Sequence, residues 1–204
     1  MIISHKHQFI FVKTRKTAGS TLEKLLYPYL GQFDICTGSE RDNTPPLNTD
    51  NKDGHMGWKQ IENFYPREWK EYYKFTIERN PWDKVVSDFF WESRGTNLAA
   101  DLTTAFEAYV SRSLPWPVEE QVPRLLDPTW TLLRFETLER DFCRLTQALG
   151  LGEHRSLLPQ FKSNVRPPGT DYRDVHTAFT RDVVAVIWSD WIQTFDYSFG
   201  EKLP

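Results

Sequence analysis

The stretch at residues 11–22 constrains the fold of this chain more than any other, and it reads FVKTRKTAGSTL. An apolar run at residues 8–12 predicts a buried parallel strand, and leucines at helical spacing from Leu22 onward predict a helix. The loop between them contains small, hydroxylated and basic residues. A strand that leads through such a loop into a helix predicts an α/β fold, with backbone N–H groups directed outward at the start of the helix.

This loop has the composition of an anion-binding site. Gly19 lets the backbone approach a ligand closely, and Lys16 can supply a mobile positive charge. Hydroxyl donors are available from Thr17, Ser20 and Thr21. A capped strand-to-helix turn without a ligand is the alternative, since such turns occur in many α/β proteins. The loop is not a Walker A sequence, because Lys16 precedes the glycine instead of following it.

Length and composition narrow the range of functions. The chain has 204 residues, which suits one domain over residues 1–204, and its net charge of −3 gives no general attraction to nucleic acid or to anionic membranes. No stretch approaches the roughly 20 apolar residues of a membrane span, and no export signal is evident, so we expect a cytoplasmic protein. Cys36 and Cys143 are too few and too isolated for a disulfide framework or a CxxC metal site. The sequence leaves the oligomeric state open.

The apolar pattern predicts further strands and helices along the chain. Strands are expected at residues 32–36, 74–78 and 129–135. Helices are expected from Trp58, from Trp82, over residues 101–114, from Thr137 to Gly150 and over residues 174–195, with a short one at 119–126. The sequence predicts a long polar loop over residues 37–54. Three interpretations of this loop stay open: a lid, an acceptor-binding segment or a disordered segment. The expected fold is a three-layer α/β sandwich, with a mainly parallel sheet of four or five strands flanked by helices, similar in layout to the P-loop kinases.

A second group of candidate residues follows the predicted strand at 74–78. Arg79 lies at the edge of the sheet where open α/β folds bind ligands. Asn80 and Pro81 are typical of a helix start, as N-cap and first helical residue. Ser87 comes two helical turns later. A guanidinium and a hydroxyl at this spacing could hold one phosphate group from two directions.

Three segments together resemble the sulfotransferases that use 3′-phosphoadenosine 5′-phosphosulfate (PAPS). Residues 15–21, RKTAGST, are similar to the loop that holds the 5′-phosphosulfate, with Arg15 in the position that proline usually takes. Residues 79–87, RNPWDKVVS, are similar to the segment whose arginine and serine hold the 3′-phosphate. Gly54-His55 resembles the segment of the heparan sulfate 2-O-sulfotransferases and their bacterial relatives whose histidine is the proposed base. Spacing alone would leave His55 either structural or catalytic.

The resemblance implies transfer of a sulfuryl group from PAPS to a hydroxyl of a carbohydrate or small-molecule acceptor, with release of adenosine 3′,5′-bisphosphate (PAP). It implies that His55 is the base and that Lys16 stabilises the leaving phosphate. It also implies that the cosubstrate is bound by Arg15, Lys16, Thr17, Ala18, Gly19, Ser20, Thr21, Arg79 and Ser87. An irregular segment later in the chain would add Lys162 or Arg166. No metal is expected, because Lys16, Arg15 and the helix terminus supply positive charge.

Two other classes of function stay open. A P-loop kinase that uses Mg-ATP on a small alcohol or nucleoside would share the strand, loop and helix. Lys16-Thr17 half matches the kinase motif, and Glu78 or Glu136 would then be the acid that holds the metal. A non-catalytic nucleotide-binding protein would bind nucleotide without turnover. The sequence does not identify the acceptor, because aromatic side chains can stack on a sugar, a phenol or a tyrosine.

Overall fold

The computed structural model describes residues 1–38, 44–49, 54–96, 101–112, 130–152 and 165–201. These residues divide into two compact units. The first unit contains residues 1–78 and 130–152, and the second contains the described residues of 79–112 and 165–201. The short helix expected at 119–126 lies outside the described residues, as do residues 39–43 and 50–53 of the polar loop.

The first unit is built on a sheet that has five strands within the described residues. They are β1 (Ile2–Ser4), β2 (Phe9–Val12), β3 (Ile35–Cys36), β4 (Tyr73–Glu78) and β5 (Trp130–Arg134), in the order β3-β1-β2-β4-β5. β4 is parallel to both β2 and β5, whereas β1 is antiparallel to both β2 and β3. Four strands therefore run in one direction and β1 runs against them. The expected α/β fold with a sheet of four or five strands is confirmed.

Within the described residues, the first unit has four α-helices: α1 (Gly19–Leu26), α2 (Trp58–Phe64), α3 (Pro66–Glu71) and a later one, Leu138–Ala148, which is α6 in chain order. Alternate residues of the central strands, such as Phe9 and Phe11 in β2, point into one core because side chains alternate across a strand. Helical spacing brings Leu22 and Leu26 of α1 to the same core. Its remaining members are Ile2, Cys36, Phe75, Ile77, Leu133, Leu138, Phe142 and Leu145. The core fixes α1 against the sheet, and thus fixes the loop that enters α1.

The described part of the polar loop is attached to the edge of the sheet. Leu47 and Cys36 exchange backbone hydrogen bonds of 2.9 and 3.0 Å. The side-chain amide of Asn48 donates to the carbonyl oxygens of Gln32, at 2.7 Å, and Asp34, at 2.8 Å. A single bridge at Leu47 and the side chain of Asn48 thus attach residues 44–49 to the edge of the sheet at β3.

The described part of the second unit contains five α-helices: α4 (Pro81–Glu92), α5 (Leu102–Arg112), α7 (Tyr172–Val175), α8 (Ala178–Ile187) and α9 (Ser189–Phe195). α4 begins as the sequence predicts, with Pro81 in its first turn and Asn80 Oδ1 accepting from the Trp82 N–H at 3.1 Å. The single helix expected over residues 174–195 is wrong, since three helices occupy this region. Thr177 starts a new helix there, because its hydroxyl accepts from the Thr180 N–H as an N-cap. None of the helices in the described ranges is both long and apolar enough to cross a membrane.

Candidate functional site

The loop between β2 and α1 has an unusual backbone conformation. Lys16 and Ala18 both adopt left-handed conformations, with φ of 59° and 65°. Left-handed residues next to right-handed ones turn successive N–H groups toward one concave side, which attracts anions. Ala18 is the N-cap of α1, so the positive end of the helix dipole adds to this potential. The positive φ angles and the helix start are two features that anion sites share, and anion binding by this loop stays a prediction.

The side chains of this loop divide into an inner and an outer set. Thr17 is buried, and its hydroxyl lies 3.1 Å from the Thr14 carbonyl oxygen and 2.8 Å from the Thr14 hydroxyl. Thr14 in turn donates to the Ile77 carbonyl oxygen of β4 at 2.5 Å. Through Thr14, the Thr17 hydroxyl therefore connects the loop to the sheet. The sequence predicts the same hydroxyl as a donor to a ligand. Arg15, Lys16 and Ser20 are only partly buried, whereas Thr21 is buried.

Gly19 is required by packing within the protein. A Cβ atom at Gly19 would lie 2.6 Å from Cγ of Lys13, which is shorter than any normal contact. The Lys13 side chain is almost fully buried, and its ammonium lies 2.6 Å from Oε2 of Glu23 on α1. The glycine thus makes room for a buried lysine stem, and its close approach to a ligand stays a prediction.

His55 is held by the same loop. Its Nδ1 lies 3.2 Å from the carbonyl oxygen of Lys13. Because a carbonyl oxygen can only accept, Nδ1 carries the proton and Nε2 carries the lone pair. Burial, together with the positive charge of Lys13, lowers the pKa of His55 to about 4. The imidazole is therefore neutral at pH 7, and Nε2 is the nitrogen that can accept a proton.

The second unit holds the other set of predicted residues. Oδ2 of Asp83 accepts a hydrogen bond from Nε of Arg79 at 2.7 Å, and a second nitrogen of the same guanidinium lies 2.6 Å from this oxygen. Oδ1 of Asp83 accepts a hydrogen bond from a guanidinium nitrogen of Arg166 at 2.6 Å. One carboxylate thus joins two arginines that the sequence analysis had proposed separately. Ser87 lies on α4 and is partly buried, while Lys162 lies outside the described residues.

Three residues of these clusters were not assigned a role from the sequence: Lys13, Glu23 and Asp83. The spacing of four residues between Arg79 and Asp83 is a helical ion-pair signal that could have been used. Lys13 and Glu23 lie ten residues apart on a strand end and a helix, so no local pattern connects them. Within the ranges that the structure describes, no three His, Cys, Asp or Glu side chains are grouped to hold a metal ion.

Comparison with known proteins bears on the first half of the chain. A model described as "Sulfotransferase family" matches residues 1–103, which is half of the sequence. The matched region contains the β2–α1 loop, His55, Arg79 and Ser87. Searches of curated proteins and of solved structures gave no match.

Proposed function

The chain belongs to the sulfotransferase family, and from this premise we propose that it transfers a sulfuryl group from PAPS to a hydroxyl of an acceptor and releases PAP. One observation carries the proposal. The neutral imidazole of His55 is hydrogen-bonded to Lys13, the first residue of the loop whose backbone suits an anion. A proton acceptor and an anion-binding backbone in one local structure are what sulfuryl transfer to a hydroxyl requires.

The donor set of the β2–α1 loop fits the phosphosulfate end of PAPS. We assign Arg15, Lys16, Thr17, Ala18, Gly19, Ser20 and Thr21 to binding this group, with Thr17 and Gly19 acting through their backbone. When bound, PAPS supplies the activated sulfuryl group. Lys16 would neutralise the negative charge that grows on the departing phosphate, and removal of such a preorganised donor typically costs about 3–4 kcal/mol of barrier.

Arg79 and Ser87 are assigned to the 3′-phosphate, with Arg166 as an additional ligand. Asp83 holds two guanidiniums together in this cluster, and the planar fork of a guanidinium matches the geometry of a phosphate. The assignment is supported by the resemblance of residues 79–87 to the sulfotransferase segment and by the shared carboxylate. Lys162 remains a prediction.

His55 is assigned as the base that takes the proton of the acceptor hydroxyl at Nε2. A pKa of about 4 makes free His55 a weak base, although fully unprotonated at neutral pH. A bound polyanion would raise this pKa, because nearby negative charge stabilises the imidazolium. The base would thus gain strength when the cosubstrate binds. The acceptor class is a hydroxyl compound, either a carbohydrate or a small molecule.

Calorimetric titration with PAP, compared with Mg-ATP in the same buffer, tests the nucleotide assignment. We expect micromolar binding of PAP without metal. Tighter binding of Mg-ATP would contradict the proposal and favour the kinase alternative. Turnover is then measured with labelled PAPS and a panel of sugar and phenol acceptors. Binding of PAP without transfer to any acceptor would favour the non-catalytic alternative.

Single substitutions test the roles of individual residues. Lys16→Ala should lower turnover by about 10²–10³-fold. His55→Ala should abolish turnover and leave PAP binding intact, whereas Arg79→Ala should weaken PAP binding. Lys70→Ala, which removes an exposed charge on α3, is the control and should behave as the wild type. Near-full activity of the Lys16 and His55 variants would refute their assigned roles.

A further inference from the structure

Lys13 contacts three parts of the site through three different groups. Its carbonyl oxygen accepts from Nδ1 of His55, its ammonium is paired with Glu23, and its aliphatic stem packs on Gly19 at the start of α1. The side chain is 5% exposed and that of Glu23 is 0% exposed. Such complete burial of a lysine requires a partner in fixed geometry, since desolvation of an unpaired ammonium is costly.

Glu23 is itself firmly held. Its Oε1 accepts from the amino nitrogen of Met1 at 3.2 Å and lies 3.7 Å from the Cys36 sulfur. Burial raises the pKa of Glu23, but the Met1 amino group and Lys13 outweigh this effect, and the net pKa is lowered. The carboxylate therefore stays charged and fixes the position of the Lys13 ammonium.

The ammonium of Lys13 also lies close to the backbone that leads into His55. A Cβ atom at Gly54 would lie 3.8 Å from Lys13 Nζ. Among the described residues, burial of the imidazole and the positive charges of Lys13, the Met1 amino group and Arg15 disfavour a second proton on the ring, whereas the hydrogen bond to the Lys13 carbonyl oxygen favours it. Lys13 is the strongest of these charges and the one that also holds the ring by a hydrogen bond.

We propose that Lys13 is the positioning residue of His55: anchored on Glu23, it keeps the ring proton on Nδ1 through its carbonyl oxygen and places its ammonium next to the backbone that leads into the ring. The proposal rests on the proposed function in one respect, that His55 is the base. The tautomer and the titration of His55 are properties of the protein alone, so they can be measured whether or not an acceptor is known.

The test uses NMR of protein labelled with ¹⁵N-histidine. In the wild type, Nδ1 of His55 should appear protonated and Nε2 unprotonated, with a titration midpoint of about 4. Lys13→Met keeps the length of the stem and removes the charge, and it should raise the midpoint by about one pH unit. Lys13→Arg, which keeps the charge, should stay close to the wild type. Lys70→Met removes an exposed charge from the same unit and should leave the midpoint unchanged.

Several results would overturn the proposal. One is a wild-type His55 protonated at Nε2, which needs no variant and so decides the matter even if Lys13→Met does not fold. Another is a Lys13→Met protein that is less stable but titrates as the wild type, as a purely structural lysine would give. In a protein with turnover, the acid limb of the kcat profile should move with the NMR midpoint. If His55→Ala retains activity while the NMR results hold, the base assignment fails and the positioning of His55 by Lys13 stands.

Discussion

Acidification is expected to destabilise the second unit, because the imidazole of His176 is held there in its neutral form. Nε2 lies 3.1 Å from the Trp82 carbonyl oxygen and must donate to it, and Nδ1 lies 3.1 Å from the Thr180 hydroxyl. The ring also packs edge-on against Phe106 at a centroid distance of 4.9 Å. Burial lowers the pKa of His176 to about 4, against smaller opposing effects of the Trp82 carbonyl and Asp83.

The size of the effect follows from proton linkage. An unfolded histidine has a pKa of about 6.5, so between pH 6.5 and 4 the unfolded chain binds more protons than the folded chain. The stability that neutral His176 contributes is complete above this window and is lost as the pH falls through it. From pH 7 to pH 5 the loss is about 2 kcal/mol. His55 has the same lowered pKa and should add a similar loss in the first unit.

The assay is denaturant unfolding of the wild type and of His176→Gln at pH 7 and pH 5. The variant should be less stable at both pH values, but its difference between them should be smaller than that of the wild type by about 2 kcal/mol. Thr180→Val removes the neighbouring hydroxyl and keeps the titrating ring, so it should retain a pH difference. If His176→Gln shows the full wild-type pH difference, the reasoning is refuted.

Three other substitutions probe packing and charge, each by denaturant unfolding at pH 7. Gly19→Ala should cost about 1–3 kcal/mol, because its methyl group would overlap the Lys13 stem, and a neutral result would contradict that contact. Asp83→Ala should cost about 3 kcal/mol, since two largely buried guanidiniums lose their carboxylate, and a loss below about 1 kcal/mol would show that the ion pairs contribute little. Phe75→Ala should cost about 3–5 kcal/mol, because the ring is fully buried in the core; a much smaller loss would mean that the sheet collapses around the gap.

Local patterns in the sequence predict the elements that support the site. The run at residues 8–12 is apolar on both faces, which is typical of a central parallel strand, and β2 occupies that position. Asn80 and Pro81 predict the start of α4. The Asn80 side chain accepts a hydrogen bond from an N–H group of the first turn, and Pro81 suits the first helical position because no N–H is needed there. In each case the residues that determine the element lie within it or directly before it.

The rest of the fold depends on contacts that no short window contains. β1 has only three residues, and it is a strand because both β2 and β3 pair with it. Helical periodicity continues from residue 174 to 195, but the reciprocal hydrogen bonds between Thr177 and Thr180 start a new helix and override it. The secondary structure of these two regions is therefore determined by strand pairing and by helix caps, and not by the intrinsic propensities of the residues.

The clusters of charged residues also combine residues that a local pattern predicts with residues that only the folded chain brings together. The position of Arg79 at the end of a strand predicts a phosphate contact, whereas Arg166 is proposed only from the resemblance to the sulfotransferases. Their common partner Asp83 makes them one cluster, although Arg166 lies 83 residues further along the chain. Asp83 stands in the first turn of α4, where the helix dipole stabilises its negative charge. A carboxylate fixed in that position orients both guanidiniums before any ligand arrives, so less side-chain entropy remains to be lost when a phosphate binds. This gives a physical reason for an acidic residue inside a segment whose proposed ligand is itself an anion.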